Sequence, residues 1–339
     1  MESLKNRLDL TEFSEKIENL KNQIASVLVG QDNAVELILT ALLADGHVLI
    51  EGVPGVAKTL LAKLTAKHID ANYSRIQFTP DLMPSDVLGT SVFNVKKSEF
   101  EFHQGPVFAE LILIDEINRA PAKTQAALFE VMEERQVTVE GFTRKMNDLY
   151  TVIATQNPIE QEGTYRLPEA QLDRFLLKIN MGYPIAEEEV LILKRHHENK
   201  TIAVLKDVTP VLSKEEILSF RKLLSEVFVE DSLLQYIAEI VIATRTSPAV
   251  YLGASPRASV ALLNASKAFA LLNGRDFVTP DDIKFVSVPV LAHRFVLSPE
   301  TEMEGYSAEA ICKRIVEKIE VPMQKSKTEN ERESENLKS

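Results

Sequence analysis

The chain has 339 residues, of which 45% are hydrophobic and 26% are charged, a balance typical of a soluble globular protein with room for two domains. Its formal net charge of −12 disfavours a broad surface for nucleic acid or an anionic membrane. Cys312 is the one cysteine, which excludes an intrachain disulfide, and no apolar run approaches the roughly 18 residues of a membrane span. We therefore expect a cytoplasmic protein without membrane insertion, and we do not expect it to bind nucleic acid.

The first half of the chain alternates between helical and strand patterns. Apolar residues at helical intervals predict helices over 11–28, 32–46, 59–69 and 120–136. Short apolar runs predict strands, buried on both faces, over 47–52, 73–78, 110–116, 150–157 and 175–181. This alternation favours an α/β fold in which helices flank a parallel sheet.

The second half is almost wholly helical from Ser213 onward, which predicts a separate helical domain. The charged and apolar stretch 183–200 reads as a connection that is itself partly helical. The tail has two large apolar residues and no aromatic ones, so we expect it to be disordered. The predicted division is a core at 1–183, a linker at 184–206, a helical domain at 207–322 and the tail at 323–339.

A glycine-containing loop, EGVPGVAKT at residues 51–59, lies between a predicted strand and a predicted helix. In that context the pattern G-x-x-x-x-G-K-[ST] indicates a phosphate-binding loop, whose backbone N–H groups contact phosphates. Lys58 would place its charge on the β and γ phosphates, and Thr59 would offer a hydroxyl group to Mg²⁺. Ala57 replaces the second glycine, and we expect its φ to be negative, as at the start of a right-handed helix. An ordinary strand–turn–helix connection is the alternative.

The nucleotide-contacting residues predicted in this loop are Gly52, Val53, Pro54, Gly55, Val56, Ala57, Lys58, Thr59 and Leu60.

Polar side chains follow two further predicted strands. Asp115 and Glu116 end the strand LILIDE, where Asp115 would hold Mg²⁺ and Glu116 would polarise the attacking water. Asn157 ends the strand VIATQN, and it would lie near the γ phosphate if the strands are neighbours. Each motif alone has an ordinary alternative: a solvated strand end for the carboxylates, and the opening of an Asn-Pro loop for Asn157.

Two arginines are candidates for contact with a transferring phosphoryl group. Arg174 precedes the fifth strand and would act as an arginine finger, unless it merely pairs with Asp173; Arg166 is a weaker candidate. Arg257 is predicted in the first turn of a helix, where the helix dipole disfavours a cation. An anion would resolve that conflict, either a γ phosphate or a nearby acidic side chain.

Together these motifs make residues 14–322 resemble an AAA+ ATPase of the MoxR family. GVPGVAKT is similar to Walker A, LILIDEINRAP to Walker B, ATQNP to sensor 1, LPEAQLDRF to the arginine-finger segment and GASPRA to sensor 2. The stretch from FTPDLMPSD to HQGPVF resembles a helix-2 insert, and VTVEGFTRKMND resembles the hairpin before sensor 1. LVGQDNAV resembles the segment beside the adenine, which implies that Val29, Gly30 and Gln31 line the base.

The resemblance implies a five-stranded parallel sheet of order 5-1-4-3-2 followed by a helical lid. It also implies ATP and Mg²⁺ as ligands, a ring that is usually a hexamer, and ATP between subunits, so that Arg174, and Arg257 with it, acts on a neighbour's nucleotide. Members act as chaperone-like motors that remodel, mature or activate partner proteins, often ones with von Willebrand factor A domains. The alternatives are a nucleic-acid motor of the helicase or clamp-loader kind, and an ATP-gated scaffold with little hydrolysis.

Overall fold

The computed structural model describes residues 9–157, 165, 167–198 and 209–322. Five parallel strands form the central sheet in the order β10-β1-β9-β6-β3, which confirms the predicted order 5-1-4-3-2. These strands are β1 (Val48–Gly52), β3 (Tyr73–Gln77), β6 (Leu111–Asp115), β9 (Thr151–Gln156) and β10 (Leu177–Met181). Since all five run in one direction, the residues that follow them meet at one edge of the sheet.

The remaining elements flank the sheet or follow it. The helices are α1 (Thr11–Val27), α2 (Asp32–Leu43), α3 (Lys58–Lys67), α4 (Pro84–Leu88), α5 (Ala122–Glu134), α6 (Glu169–Leu172), α7 (Ala186–His197), α8 (Lys214–Leu223), α9 (Asp231–Thr246), α10 (Pro256–Leu272), α11 (Pro280–Leu291), α12 (Pro299–Met303) and α13 (Ala308–Lys318). The short strands are β2 (Ile69–Asp70), β4 (Gly89–Asn94), β5 (Glu99–Gln104), β7 (Gln136–Val139), β8 (Phe142–Lys145), β11 (Leu212–Ser213), β12 (Val250–Leu252) and β13 (Val296–Leu297).

The strands differ in burial according to their place in the sheet. Every residue of the interior strand β6 is buried, as its apolar run predicts. β3 is an edge strand in which only Ile76 is buried, so the prediction of a strand buried on both faces was wrong there. Arg75 and Gln77 of this strand lie at the carboxyl edge of the sheet, beside Asp115 and Glu116.

Two antiparallel hairpins occupy the segments that resemble the insert and the hairpin before sensor 1. One pairs β4 with β5, and the other pairs β7 with β8. The Arg144 guanidinium lies 3.8 Å from the centre of the Phe102 ring, so a cation–π contact joins the two hairpins. Phe93, Phe100 and Phe142 are exposed on them.

The helical half packs α10 against α11 and against α2 of the first half. Cys312 of α13 is buried in this half, with its Sγ 3.9 Å from the Ser287 carbonyl oxygen. Within the described part of the chain, no helix is long and apolar enough to cross a membrane. The tail at 323–339 and residues 199–206 of the linker lie outside the described residues.

The segment placed at the start of the helical domain lies against the sheet half. Leu212 of β11 pairs with Ile69 of β2, and the rings of Phe220 and Phe13 have centroids 4.2 Å apart. Helix α8 is therefore docked on α1 and α2, and the domain boundary near residue 207 stays a prediction.

Candidate active site

The phosphate loop joins β1 to α3 with two residues in left-handed backbone conformations. Gly55 has φ +88°, and Ala57, the residue immediately before α3, has φ +64°. The expectation of a negative φ at Ala57 was therefore wrong: the chain turns through the left-handed region before it enters the helix. Such a conformation costs an alanine about 1–2 kcal/mol, which explains why the general pattern has glycine here.

The side chains of Lys58 and Thr59 reach across the carboxyl edge of the sheet. Lys58 Nζ donates hydrogen bonds to the carbonyl oxygens of Gly52 on β1 and Gln156 on β9, the latter at 3.0 Å. Thr59 Oγ1 donates to Asp115 Oδ1 at the end of β6, at 2.9 Å. The first turn of α3 is thereby fixed over three neighbouring strands.

The Asp115 carboxylate is 3% exposed and is held on both of its oxygens. Oδ1 accepts hydrogen bonds from Thr59 and, at 3.3 Å, from Thr155 Oγ1, while Oδ2 accepts one from Arg75 Nε at 2.7 Å. Sequence reasoning missed Arg75. The signal available was its place two residues before Gln77, which puts both side chains on one face of a strand beside β6.

Glu116 holds a strained backbone conformation, with φ +57° and ψ +52°. Its N–H donates to Thr155 Oγ1 at 3.1 Å, and its Oε2 accepts from Gln77 Nε2 and Arg119 Nη1, each at 2.9 Å. Strain of this kind at a non-glycine residue is typical of functional sites, where the surrounding contacts fix an orientation that the chain alone would avoid.

These residues surround one cavity of about 550 Å³, which we name the phosphate cavity. Its lining includes Lys58, Thr59, Asp115, Glu116, Asn157, Arg75, Gln77, Thr155, Pro54, Gly55, Ala57 and Leu60. Asn157 is 5% exposed, so its amide is held in a defined place at the end of β9. The structure thus brings the loop, the carboxylate pair and the amide together.

An apolar cavity of about 460 Å³, the base cavity, adjoins the same loop through Gly55, Ala57 and Leu60. Val29 and Gln31 line it, whereas Gly30 lines a neighbouring cavity with Gln31. The opposite wall comes from α7, through Ile192, Leu193, Arg195 and His196, none of which the sequence indicated.

The two candidate arginines lie away from these cavities and meet at Glu133 on α5. Arg174 Nη2 is 2.6 Å from Glu133 Oε2, and Arg257 Nη1 is 3.5 Å from Glu133 Oε1. Among the described residues that line the phosphate cavity, neither arginine is present. Arg174 does not pair with Asp173, because that carboxylate binds Arg294, and Arg166 lies outside the described residues.

Fold and site together define a class. A parallel sheet of this order, a phosphate loop after its first strand, a carboxylate pair on a neighbouring strand and a helical domain after the last strand are the features of an AAA+ P-loop ATPase.

The comparisons with known proteins agree with that class. Residues 47–177 match the ATPase family associated with various cellular activities (AAA), and residues 242–315 match the AAA lid domain. Chaperone MoxR1 of Mycobacterium tuberculosis is 44% identical over 314 residues, which cover 88% of this chain and 81% of the relative. YeaC of Bacillus subtilis is 50% identical over 303 residues, which cover 89% and 94%. A crystal structure from Cytophaga hutchinsonii superposes with a TM-score of 0.83 at 42% identity, covering 92% and 96%.

The chain therefore belongs to the MoxR family of AAA+ ATPases. It is an AAA+ ATPase of the chaperone-like kind, as the resemblance of its motifs predicted, and its fold class is confirmed.

Proposed function

We propose that this protein binds ATP with Mg²⁺, hydrolyses it to ADP and phosphate, and uses the cycle to remodel, mature or activate partner proteins. The observation that carries the proposal is the convergence of Lys58, Thr59, Asp115, Glu116 and Asn157 on one cavity. They come from the ends of two adjacent parallel strands, β6 and β9, and from the start of α3, an arrangement that suits phosphoryl transfer.

The roles follow from the positions of the groups. Lys58 and the N–H groups of residues 55–59 would hold the triphosphate, with the base between Val29 and α7 in the base cavity. Glu116 would orient the attacking water and draw off its proton, and Asn157 would hydrogen-bond that water from the next strand. Of its two carboxylate oxygens, Oε2 accepts the bonds from Gln77 and Arg119.

The donor atoms beside the phosphate cavity suit Mg²⁺. Thr59 Oγ1 and Asp115 Oδ1 are hard oxygen ligands 2.9 Å apart, and the ion binds few protein oxygens and keeps several waters. Bound there, Mg²⁺ would neutralise charge on the phosphoryl oxygens.

A ring of subunits, with a hexamer as the expected form, would complete the site. In one subunit Arg174 and Arg257 both lie at Glu133 rather than at the phosphate cavity, which supports action on a neighbour's nucleotide. An arginine finger raises the rate about 10³–10⁵-fold, so isolated subunits would turn over slowly. Clients with von Willebrand factor A domains and a cytoplasmic setting complete the proposal.

The test is ATP turnover by purified variants at matched protein concentration. Lys58→Ala should abolish nucleotide binding, whereas Glu116→Gln should keep binding and lose turnover by about 10²–10⁴-fold. Lys63→Ala, an exposed lysine on the same helix, is the matched control and should behave as wild type. Turnover at the wild-type rate by the Lys58 and Glu116 variants would refute the site. If the wild-type protein binds ATP tightly but hydrolyses almost none at any protein concentration, the scaffold alternative would be favoured.

A further inference from the structure

Outside both cavities, a buried arginine of the helical half donates hydrogen bonds to the segment that carries Arg174. The Arg294 side chain is only 4% exposed. Its Nε donates to Asp173 Oδ1 at 2.7 Å, its Nη2 to the Phe175 carbonyl oxygen at 2.7 Å, and its Nη1 to the Leu176 carbonyl oxygen at 3.0 Å. The bonded groups therefore precede and follow Arg174 directly in the chain.

The neighbouring residue His293 also binds this segment. Its Nε2 lies 3.0 Å from the Phe175 carbonyl oxygen, and burial lowers the pKa of the imidazole well below its usual value, so the ring is neutral and donates N–H. The Phe175 ring packs edge-on against Phe129, with centroids 5.9 Å apart. Backbone and ring of the residue after Arg174 are thus both fixed.

The guanidinium of Arg294 carries a buried charge. Removing such a group from water is costly unless its N–H donors find acceptors in the protein. Its fork is matched by Asp173 and by the carbonyl oxygens around Arg174. The Arg174 side chain runs the other way, to Glu133 and to the Ala170 carbonyl oxygen at 2.6 Å. Arg294 thus fixes the backbone on both sides of Arg174, while the Arg174 side chain, 28% exposed, lies against Glu133.

We propose that Arg294 is a positioning residue for Arg174: from the helical half it fixes the backbone from which Arg174 reaches a neighbouring subunit's nucleotide. This inference rests on the proposed action of Arg174 in trans. It also links two parts of the chain, since a shift of α11 moves Arg294 and with it the Arg174 segment. A small displacement of a catalytic group of this kind lowers a rate by about 10²-fold.

The first test compares Arg294→Gln and Arg294→Lys with Arg174→Ala. Arg294→Gln should lower kcat by about 10–100-fold while its affinity for a fluorescent ATP analogue stays within about twofold of wild type. Arg294→Lys keeps the charge and folds more readily, and it should lose less. Arg275→Gln is the matched control, because Arg275 also makes a largely buried ion pair in the helical half, with Asp282 at 2.5 Å, and it should keep wild-type kcat.

The second test separates positioning from mere folding. The Arg294→Gln subunit keeps its own cavities intact, whereas a Glu116→Gln subunit lacks hydrolysis but keeps Arg174. Mixing the two should restore turnover at the Arg294→Gln cavities, as should mixing Arg174→Ala with Glu116→Gln.

Wild-type kcat in both Arg294 variants would overturn the inference. It would also be overturned if mixing with Glu116→Gln subunits restored turnover to Arg174→Ala but not to Arg294→Gln. Wild-type kcat in Arg174→Ala would instead overturn the proposed function at that residue, and the inference with it.

Discussion

Ala57 and Glu116 each hold a left-handed backbone in the site, and only Ala57 can be relieved without removing a functional group. Ala57→Gly should raise the free energy of unfolding by about 0.5–1 kcal/mol, because it removes a strain of about 1–2 kcal/mol and adds a smaller entropy to the unfolded chain. Urea unfolding measures this difference. Ala62→Gly, within α3, should destabilise the protein, and a matching loss in both variants would contradict the assignment of strain to residue 57.

Arg75 occupies one oxygen of the carboxylate proposed to serve Mg²⁺. Arg75→Ala should therefore lower the Mg²⁺ concentration for half-maximal binding of a fluorescent ATP analogue by about 3–10-fold, since an exposed partner of this kind contributes modestly. Analogue binding without Mg²⁺ serves as the reference. A higher Mg²⁺ requirement would mean that Arg75 orients Asp115 for the ion rather than competing with it.

At the scale of single residues, the sequence predicts those site residues that lie beside a recognisable helix or strand. Each of the predicted site residues begins, ends or directly follows a helix or strand with a clear sequence pattern, so the edge of the sheet could be predicted from the chain alone. These residues are Lys58, Thr59, Asp115, Glu116 and Asn157. Arg75 and Arg294 act through partners 40 and 121 positions away, and such distant pairings leave no local pattern. The sign of φ at residue 57 likewise depends on the loop as a whole.

At the scale of elements, a buried carboxylate adds to the strand pairing and ring contact that dock α8 on the sheet half. Glu110 has a side chain that is 5% exposed; Lys214 of α8 donates to its Oε1, and the Asn72 N–H donates to its Oε2 at 2.8 Å. Lys214→Met should destabilise the protein by about 1–3 kcal/mol, because it leaves Glu110 buried without a counter-charge. Pairing it with Glu110→Gln in a double-mutant cycle should recover part of the loss, whereas strict additivity would show that the two groups do not interact.

The order of elements was predictable because apolar runs and turn residues alternate clearly along the first half. The docking of α8 was not predictable, because it depends on which surfaces meet, and helical periodicity is the same on either side of a domain boundary. The edge position of β3 followed from the resemblance, which put the second strand last in the sheet order, and not from its apolar run.

At the scale of the whole molecule, stability should depend on pH through His47. Its Nδ1 accepts from the Val152 N–H at 3.0 Å and its Nε2 donates to the Met132 carbonyl oxygen at 3.3 Å, while burial lowers its pKa from 6.5 to about 3. The unfolded chain binds this proton near pH 6.5 and the native state does not until about pH 3. Acidification below pH 6.5 therefore lowers the free energy of unfolding by about 1.4 kcal/mol per pH unit for this group.

Urea unfolding at pH 5.5 and at pH 4.5, both below 6.5 and above 3, measures that slope. In His47→Gln the free energy of unfolding should change less with pH, by about one proton, because the variant has no imidazole here that the native state keeps unprotonated. Equal slopes in the two proteins would assign the acid sensitivity to other groups.

The rate at which the single cysteine reacts reports how often the packing around α13 opens. Cys312 is buried, and burial raises the pKa of its thiol to about 12. While α13 stays packed, an alkylating reagent therefore has no access to the sulfur, and there is little thiolate to attack the reagent. Alkylation can proceed only as fast as that packing opens. Its rate with and without nucleotide would count those openings, with no label engineered into the protein.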